Sequence, residues 1–262
     1  MSESAKLLQN FACVHCRALR EYDGKCILSR EGLCSKFVCK VSGSSAGEVD
    51  WEALESSNPW LLKQRLVAKP DMLIKRRGKS GLICLNATWA EAKAWIAERL
   101  GSEVEVEGVK GVLTHFFVEP FVPHGASDEY YICIQSDRAG EEILFHHEGG
   151  VDVGDVDSKA VRLSVPIVGA ALTGATVTGA LLQAVPEARR PALSEFIVRL
   201  FQVYRKLHFA YMEINPLVFL PAARGAGDAA AAPGAAEVGS FAPLDLAAKI
   251  DAWWPVRVRK VI

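Results

Sequence analysis

Residues 188–211, ARRPALSEFIVRLFQVYRKLHFAY, put Leu193, Phe196, Ile197, Leu200, Phe201, Tyr204 and Leu207 on one stripe at the 3.6-residue spacing of a helix. The next run, MEINPLVFL, reads as a strand. Elsewhere, too, helices and strands mix without strict alternation. The pattern predicts an α+β fold. With 262 residues, half of them hydrophobic, the chain can build one large domain or two small ones with real cores.

Other segments fit this class. LKQRLVAKPDML and GLICLNAT read as strands on either side of a basic turn, and TWAEAKAWIAERLG as an amphipathic helix. Thr88 is its expected N-cap, Glu91 stands three residues on as in a capping box, and Gly101 ends it. VEVEGVKGVLTHFFVEPFVPH reads as two β-like runs, the second stopping at Glu119-Pro120, with Pro120 and Pro123 stiffening a connector. EYYICIQSD and EEILFHHE flank Arg138-Ala139-Gly140 as a β-hairpin, and EGGVDVGDVD is an acidic glycine-rich loop. PAARGAGDAAAAPGAAEVGSFAP is low-complexity and reads as a solvent loop before PLDLAAKID.

Several function classes are disfavoured. Thirty Lys+Arg against 31 Asp+Glu, a net charge of −1, do not describe a dedicated nucleic-acid binder. The uncharged run LSVPIVGAALTGATVTGALLQAV (163–185) is long enough for a bilayer, yet its Ala/Gly/Thr content and Pro166 predict a loop followed by a buried or half-buried helix, with no membrane role. Seven cysteines with no secretory signal predict reduced thiols in a cytoplasmic protein. Cys13 and Cys16 could begin a zinc site, but Cys26, Cys34 and Cys39 lack the spacing of a second ligand pair. Cys84 and Cys133 are expected to be buried in strands. His146 and His147, adjacent on a strand, should face opposite ways and so not clamp a metal. His115, His124 and His208 are expected to be structural or exposed.

Two features point to chemistry. In KPDMLIKRRGKSGL, five bases (Lys69, Lys75, Arg76, Arg77 and Lys79) fall within eleven residues and surround Gly78. Glycine lets the backbone approach a phosphate, and the cations supply charge-assisted hydrogen bonds, so the turn suits a polyphosphate. It is not a Walker A loop, since Leu73 stands where that motif needs glycine. A triphosphate also needs a cation held by carboxylate or carbonyl oxygen. Glu213 and Asn215, two apart on a strand, can face one cavity, and Asp245 on an apparent partner strand could complete the group.

NPWLLKQRLVAKPDMLIKRRGKSGL, FFVEPFVPH, FHHEGGVDVGDVDSKA, YMEINPLV and LDLAAKIDA, in this order between residues 58 and 252, resemble the N-terminal ATP-grasp portion of the ATP-citrate lyases, itself similar to the succinyl-CoA synthetase β subunit. REYDGKCIL (20–28) is similar to the start of the plant-type A subunits. The resemblance implies an ATP-grasp fold of two subdomains with the nucleotide cleft between them. The domain would run over 18–252, with a nucleotide-covering subdomain at about 40–118 and a second at about 119–252 that carries the loop 221–242. Residues 1–17 would be an extension and 253–262 a divergent tail.

The resemblance also implies the site. Lys69 would bridge the α- and β-phosphates of ATP, Arg77 and Gly78 would belong to the phosphate-covering loop, and Glu119, Pro120 and Val122 would line the adenosine, with Glu129 nearby. Asn215 and Asp245 would hold Mg2+, and Glu148 would help orient a phosphohistidine. That histidine lies outside this chain in the family, where the phosphoryl group passes through it to citrate, and citryl-CoA is then cleaved to acetyl-CoA, a lipid precursor, and oxaloacetate. The family continues past LDLAAKIDA into a citrate-binding domain, whereas this chain ends in WWPVRVRKVI. A citrate- and CoA-binding partner subunit or downstream domain, in a hetero- or homo-oligomer, is thus expected. The alternatives are another acid–CoA ligase of the succinyl-CoA synthetase type and a noncatalytic nucleotide-binding module.

Overall fold

The computed structural model describes residues 16–72, 81–106, 108–150, 154–221 and 239–251. Arg77, Gly78, Cys13, most of the low-complexity loop and the tryptophan-containing tail lie outside them. The chain divides into two compact units. One is Arg20–Cys26 with Ser35–Pro123; the other takes the described residues through Leu19, Ile27–Cys34, and those from His124 on.

The chain opens with β1 (Cys16–Leu19) and α1 (Glu21–Arg30), and the division falls inside α1. Cys16 and Arg17, expected in an extension, instead pair with Asp251 and Ile250 of a late strand. In the Ser35–Pro123 unit follow β2 (Cys39–Ser42), α2 (Trp51–Ser57), β3 (Leu66–Pro70), β4 (Cys84–Ala87), α3 (Trp89–Arg99), β5 (Glu103–Val106), β6 (Val109–Val112) and β7 (His115–Pro120). β2, β7, β3 and β4 form an antiparallel sheet in that order, and β5 pairs with β6 in a separate two-stranded ribbon. The stretch read as two β-like runs is thus three strands, because Gly108 at φ +80° allows a tight reversal between the first two.

α3 forms where the sequence predicts it. Glu91 N donates to Thr88 Oγ1 (3.3 Å) and Thr88 N to Glu91 Oε2 (2.6 Å), so each side chain satisfies the other residue's orphan N–H. Trp89, Ala92 and Ile96 bury one face against Leu66, Ala68, Phe116 and Val118 of the sheet. The helix stops at Gly101, whose φ of +83° and close approach to Ser44 O leave no room for a β-carbon.

The second unit continues with β8 (Glu129–Ser136), β9 (Gly140–His146), α4 (Val156–Lys159), β10 (Val161–Pro166), α5 (Gly174–Leu181), α6 (Arg190–Lys206), β11 (Phe209–Pro221), β12 (Gly239–Pro243) and β13 (Leu246–Asp251). Its sheet runs β1-β13-β11-β8-β9-β10, with β12 also on β11. α6 buries Leu193, Phe196, Ile197, Leu200, Phe201 and Tyr204, the stripe read from the sequence, against Ile132, Ile134, Met212 and Ile214 of the sheet. His208 at φ +55° makes the left-handed turn that returns the chain to β11.

Two local expectations are corrected here. The uncharged run 163–185 begins as the end of edge strand β10 before α5, because Leu163 to Pro166 pair with Ile143 to Gly140 of β9. The end of the low-complexity segment is β12, since Phe241 packs its ring 5.1 Å from Phe196 and 5.5 Å from Phe219. Among the described residues no helix is long and apolar enough to cross a membrane.

Candidate functional site

In the Ser35–Pro123 unit, register brings two of the expected residues together. β3 pairs antiparallel with β7 so that Lys69 stands opposite Phe117 and Val67 opposite Glu119. Alternation puts Lys69, Phe117 and Glu119 on one face of the sheet, Lys69 and Glu119 as diagonal neighbours. Lys69 Nζ lies 2.9 Å from Glu119 Oε1, with the Lys69 side chain 7% exposed and that of Glu119 12%. Pro120 ends β7 opposite Leu66, and Val122 follows in the connector.

Two further charged residues enter this cluster from α1, and neither was anticipated. Lys25 Nζ lies 2.6 Å from Glu119 Oε2 and 3.1 Å from Glu21 Oε1, and its side chain is 1% exposed. Glu21 Oε1 is also 3.6 Å from Lys69 Nζ. Both ammonium groups lie over the Phe117 ring, 5.3 and 5.4 Å from its centroid. The available signal was the Glu21/Lys25 spacing of four, which on a helix puts both on one face. Only the tertiary structure tells such a buried pair from a solvated one. Beside them, Asp71 Oδ1 accepts from Tyr22 N (3.3 Å), while Asp71 N donates to His115 O (2.7 Å) and Arg20 donates to Asp71 O. Burial holds the Asp71 carboxyl above its ordinary pKa.

In the second unit the expected residues gather on the sheet face opposite α6. Glu129 opens β8, its Oε1 3.0 Å from His124 Nε2. Asn215 Oδ1 accepts from Gly150 N at 2.7 Å, and Asn215 N donates to Asp245 O at 3.1 Å. Asp245 therefore sits beside Asn215, in the bend between β12 and β13 rather than on a strand, where Pro216 has no N–H to give the ladder. Gly150 packs so tightly that a β-carbon there would fall 2.0 Å from Glu129 Oε2. One glycine thus touches the residues expected on the adenosine and on the metal.

Glu213 shares the Asn215 face but is turned along its own strand, accepting from the Tyr211 hydroxyl. Tyr131 donates to Asp157 beside it, and buried Cys133 lies across from Glu213. Burial pushes Tyr131, Tyr211 and Cys133 above their ordinary pKa values, so all three stay protonated, and the tyrosines act as neutral donors. Cys39 is likewise pushed up, to about 11, whereas Cys84, expected to be buried, is half-exposed because β4 is an edge strand.

The oxygens of Asn215 and Asp245 are hard donors of the kind Mg2+ takes, and a carboxamide oxygen that accepts one N–H retains a second lone pair. One or two such ligands suffice when phosphates provide the rest. His146 ends β9 while His147 lies in the following bend, so their rings come within 4.7 Å instead of facing apart. Even so, no cluster of three or more His, Cys, Asp or Glu suited to a metal occurs among the described residues. Glu148 is exposed, its N and O lying 3.2 and 3.0 Å from His146 Nδ1. A cavity of about 230 Å³ beside these histidines is lined by Phe145, Val161, Leu181 and Gln183, and by none of the residues expected at ATP.

Residues 15–257 match the family model described as the ATP-citrate synthase ATP-grasp domain. The probable ATP-citrate synthase subunit 2 of Schizosaccharomyces pombe is 51% identical over 90% of this chain, which spans 51% of that protein. Human ATP-citrate synthase is 42% identical over 90% of this chain, which spans 20% of its length. Among solved structures, the ATP citrate lyase of Methanothrix soehngenii, in complex with citrate and coenzyme A, superposes with a TM-score of 0.74 at 36% identity, covering 94% of this chain and 54% of that one. The chain thus spans about half or less of the relatives it matches.

Proposed function

This chain belongs to the ATP-citrate synthase ATP-grasp domain family and has its ATP-grasp fold, and from that membership we propose that it is the Mg-ATP-binding portion of an ATP-citrate lyase. The observation that carries the reading is Lys69, a buried ammonium beside Glu119 that begins, in sequence, the basic glycine-containing stretch. A charge in so dry a place needs anionic partners, and a polyphosphate supplies them as Glu119 and Glu21 do here.

In this reading the Lys69 ammonium meets the α- and β-phosphates, and Arg77 and the Gly78 backbone cover the phosphate chain. Glu119, Pro120, Val122 and Glu129 line the adenosine. Asn215 and Asp245 would hold Mg2+, which when bound neutralises phosphate charge. The Gly150 N–H, which can donate only to oxygen, fixes the orientation of the Asn215 carboxamide, whose oxygen would offer its second lone pair to Mg2+. Phosphoryl transfer asks the protein for alignment and charge compensation more than for a nucleophile of its own. The accepting histidine, citrate and CoA belong to a partner subunit or downstream domain, consistent with the share of its relatives this chain spans. A cytoplasmic location fits the reduced cysteines.

Calorimetry of the purified chain with Mg-ATP tests the first step. Lys69→Ala and Asp245→Asn should each weaken binding more than about tenfold, the loss of one charged contact in a desolvated site. Unchanged affinity in both variants would misplace the site. ADP release with citrate or with succinate, each with CoA and with or without a candidate partner, then tells a lyase from a succinyl-CoA synthetase-like ligase or a noncatalytic module.

A further inference from the structure

Among the described residues the cluster of Glu21, Lys25, Lys69 and Glu119 sets two positive against two negative groups, but it does not hold its two lysines equally. Glu119 is 2.6 Å from Lys25 and 2.9 Å from Lys69, and Glu21 is 3.1 Å from Lys25 and 3.6 Å from Lys69. Both carboxylates are thus closer to Lys25. The Lys25 side chain is also the more deeply buried, 1% exposed against 7% for Lys69. Glu119 presents one oxygen to each lysine, Oε1 to Lys69 and Oε2 to Lys25.

This asymmetry matters because a buried carboxylate stripped of its partner is costly, more so than the same pair left intact. If Lys69 turned to a phosphate with no other cation at hand, Glu119 would be abandoned in a dry place. The penalty would be subtracted from the affinity for the phosphate. With Lys25 already in contact, Glu119 loses one of two cations and retains the nearer.

We propose that Lys25, set by Glu21, is a positioning residue for nucleotide binding: it takes over the charge of Glu119 when Lys69 turns to a polyphosphate, so that Lys69 can be released at little cost. The proposal rests on the reading of Lys69 as a phosphate ligand and adds to it a residue pair from α1. Lys25 itself touches no ligand. Its distance to Glu119 stays short in both states, while that of Lys69 lengthens on binding. The Phe117 ring under both ammonium groups offers Lys69 a path along a face that favours cations, without full desolvation at any point.

The test separates a release role from a merely structural one. Lys25→Met leaves two carboxylates on Lys69 alone, clamping it and unbalancing the cluster. The double variant Lys25→Met with Glu21→Gln restores the balance, leaving Lys69 and Glu119 as a simple pair, and should melt close to the wild type. Because Glu119 then has no second cation, this double variant should still bind Mg-ATP and inorganic tripolyphosphate more than about tenfold more weakly than the wild-type chain. A structural role predicts instead that binding returns with stability.

Affinities of the well-folded double variant within about threefold of wild type would overturn the proposal while leaving the nucleotide site in place. A wild-type chain that binds neither ligand would bring down the functional reading, and this inference with it. If the double variant does not melt cooperatively, Lys25→Arg decides. It retains the charge at position 25 and should bind both ligands within about threefold of wild type, and a loss of about tenfold or more there would equally overturn the role of charge transfer.

Discussion

The two units hold their expected nucleotide residues by different means. In the Ser35–Pro123 unit, Lys69 and Glu119 are set by charge, in a dry cluster where each group is placed by oppositely charged neighbours and all depend on one another. In the second unit, Asn215 and Asp245 are set by backbone: the Gly150 N–H is donated to the side-chain oxygen of the one, and the Asn215 N–H to the carbonyl of the other. Charge clusters respond to changes in their partners, while backbone devices respond to atoms that take up space. The first arrangement is suited to a residue that must move on binding, and the second to ligands that must not.

The largest effect should come from unbalancing the charged cluster. Glu119→Gln leaves Lys25 and Lys69 with Glu21 alone, and removing one partner of a buried ion pair costs about 3–5 kcal/mol. Denaturant midpoints at constant slope measure it. Adding Lys25→Met should recover part of the loss, a coupling between neighbours that double-mutant analysis reads directly. Strict additivity of the two changes would mean the cluster does not act as a unit.

Gly149→Ala probes the other device. Its β-carbon would fall 2.5 Å from Tyr130 O and 2.7 Å from Tyr130 C, backbone atoms that cannot swing aside. Overpacking of this kind costs about 1–3 kcal/mol. The turn that delivers the Gly150 N–H to Asn215 would shift with it, so Mg-ATP affinity should fall along with stability. Two independent devices predict that its stability loss adds to that of Glu119→Gln; a measured coupling would erase the contrast between the units.

A smaller effect is expected where sequence and structure agree most closely. Thr88→Ala removes one half of the α3 capping box and should cost about 1 kcal/mol of stability with no change in ligand affinity. That cap was legible because all its information is local: a hydroxyl, a glutamate three residues on, and an apolar stripe. The stripe of α6 and the β8–β9 hairpin were legible for the same reason. Lys69 could be singled out because charge and glycine are concentrated around it. Lys25 could not, since its meaning depends on Glu119, 94 residues away in sequence. Asp245 lies in a bend between two strands that both pair with β11, an arrangement that alternation does not encode, and β12 is hidden in a low-complexity segment where Phe241 marks a core position.

The smallest effect concerns Asp71, just before the basic turn and beside the charged cluster without belonging to it. Its carboxyl is 1% exposed, one oxygen taken by Tyr22 N and the other, Oδ2, with no hydrogen-bond partner among the described residues. Burial raises its pKa above the ordinary aspartate value near 4, against the opposing pull of the Tyr22 N–H. A carboxyl that binds its proton more tightly when folded subtracts from stability as pH rises through the folded pKa. The wild-type chain should therefore bear this cost at neutral pH and lose it as pH falls toward the ordinary aspartate value. Asp71→Asn, which retains an acceptor for Tyr22 N, should be slightly more stable at neutral pH, by up to about 1 kcal/mol, the scale of one imperfectly satisfied buried polar group. The difference should shrink as the pH is lowered. A difference that stayed constant or grew toward acid would mean that the Arg20 guanidinium, not burial, governs this carboxylate, and would draw Asp71 into the electrostatic half of the comparison.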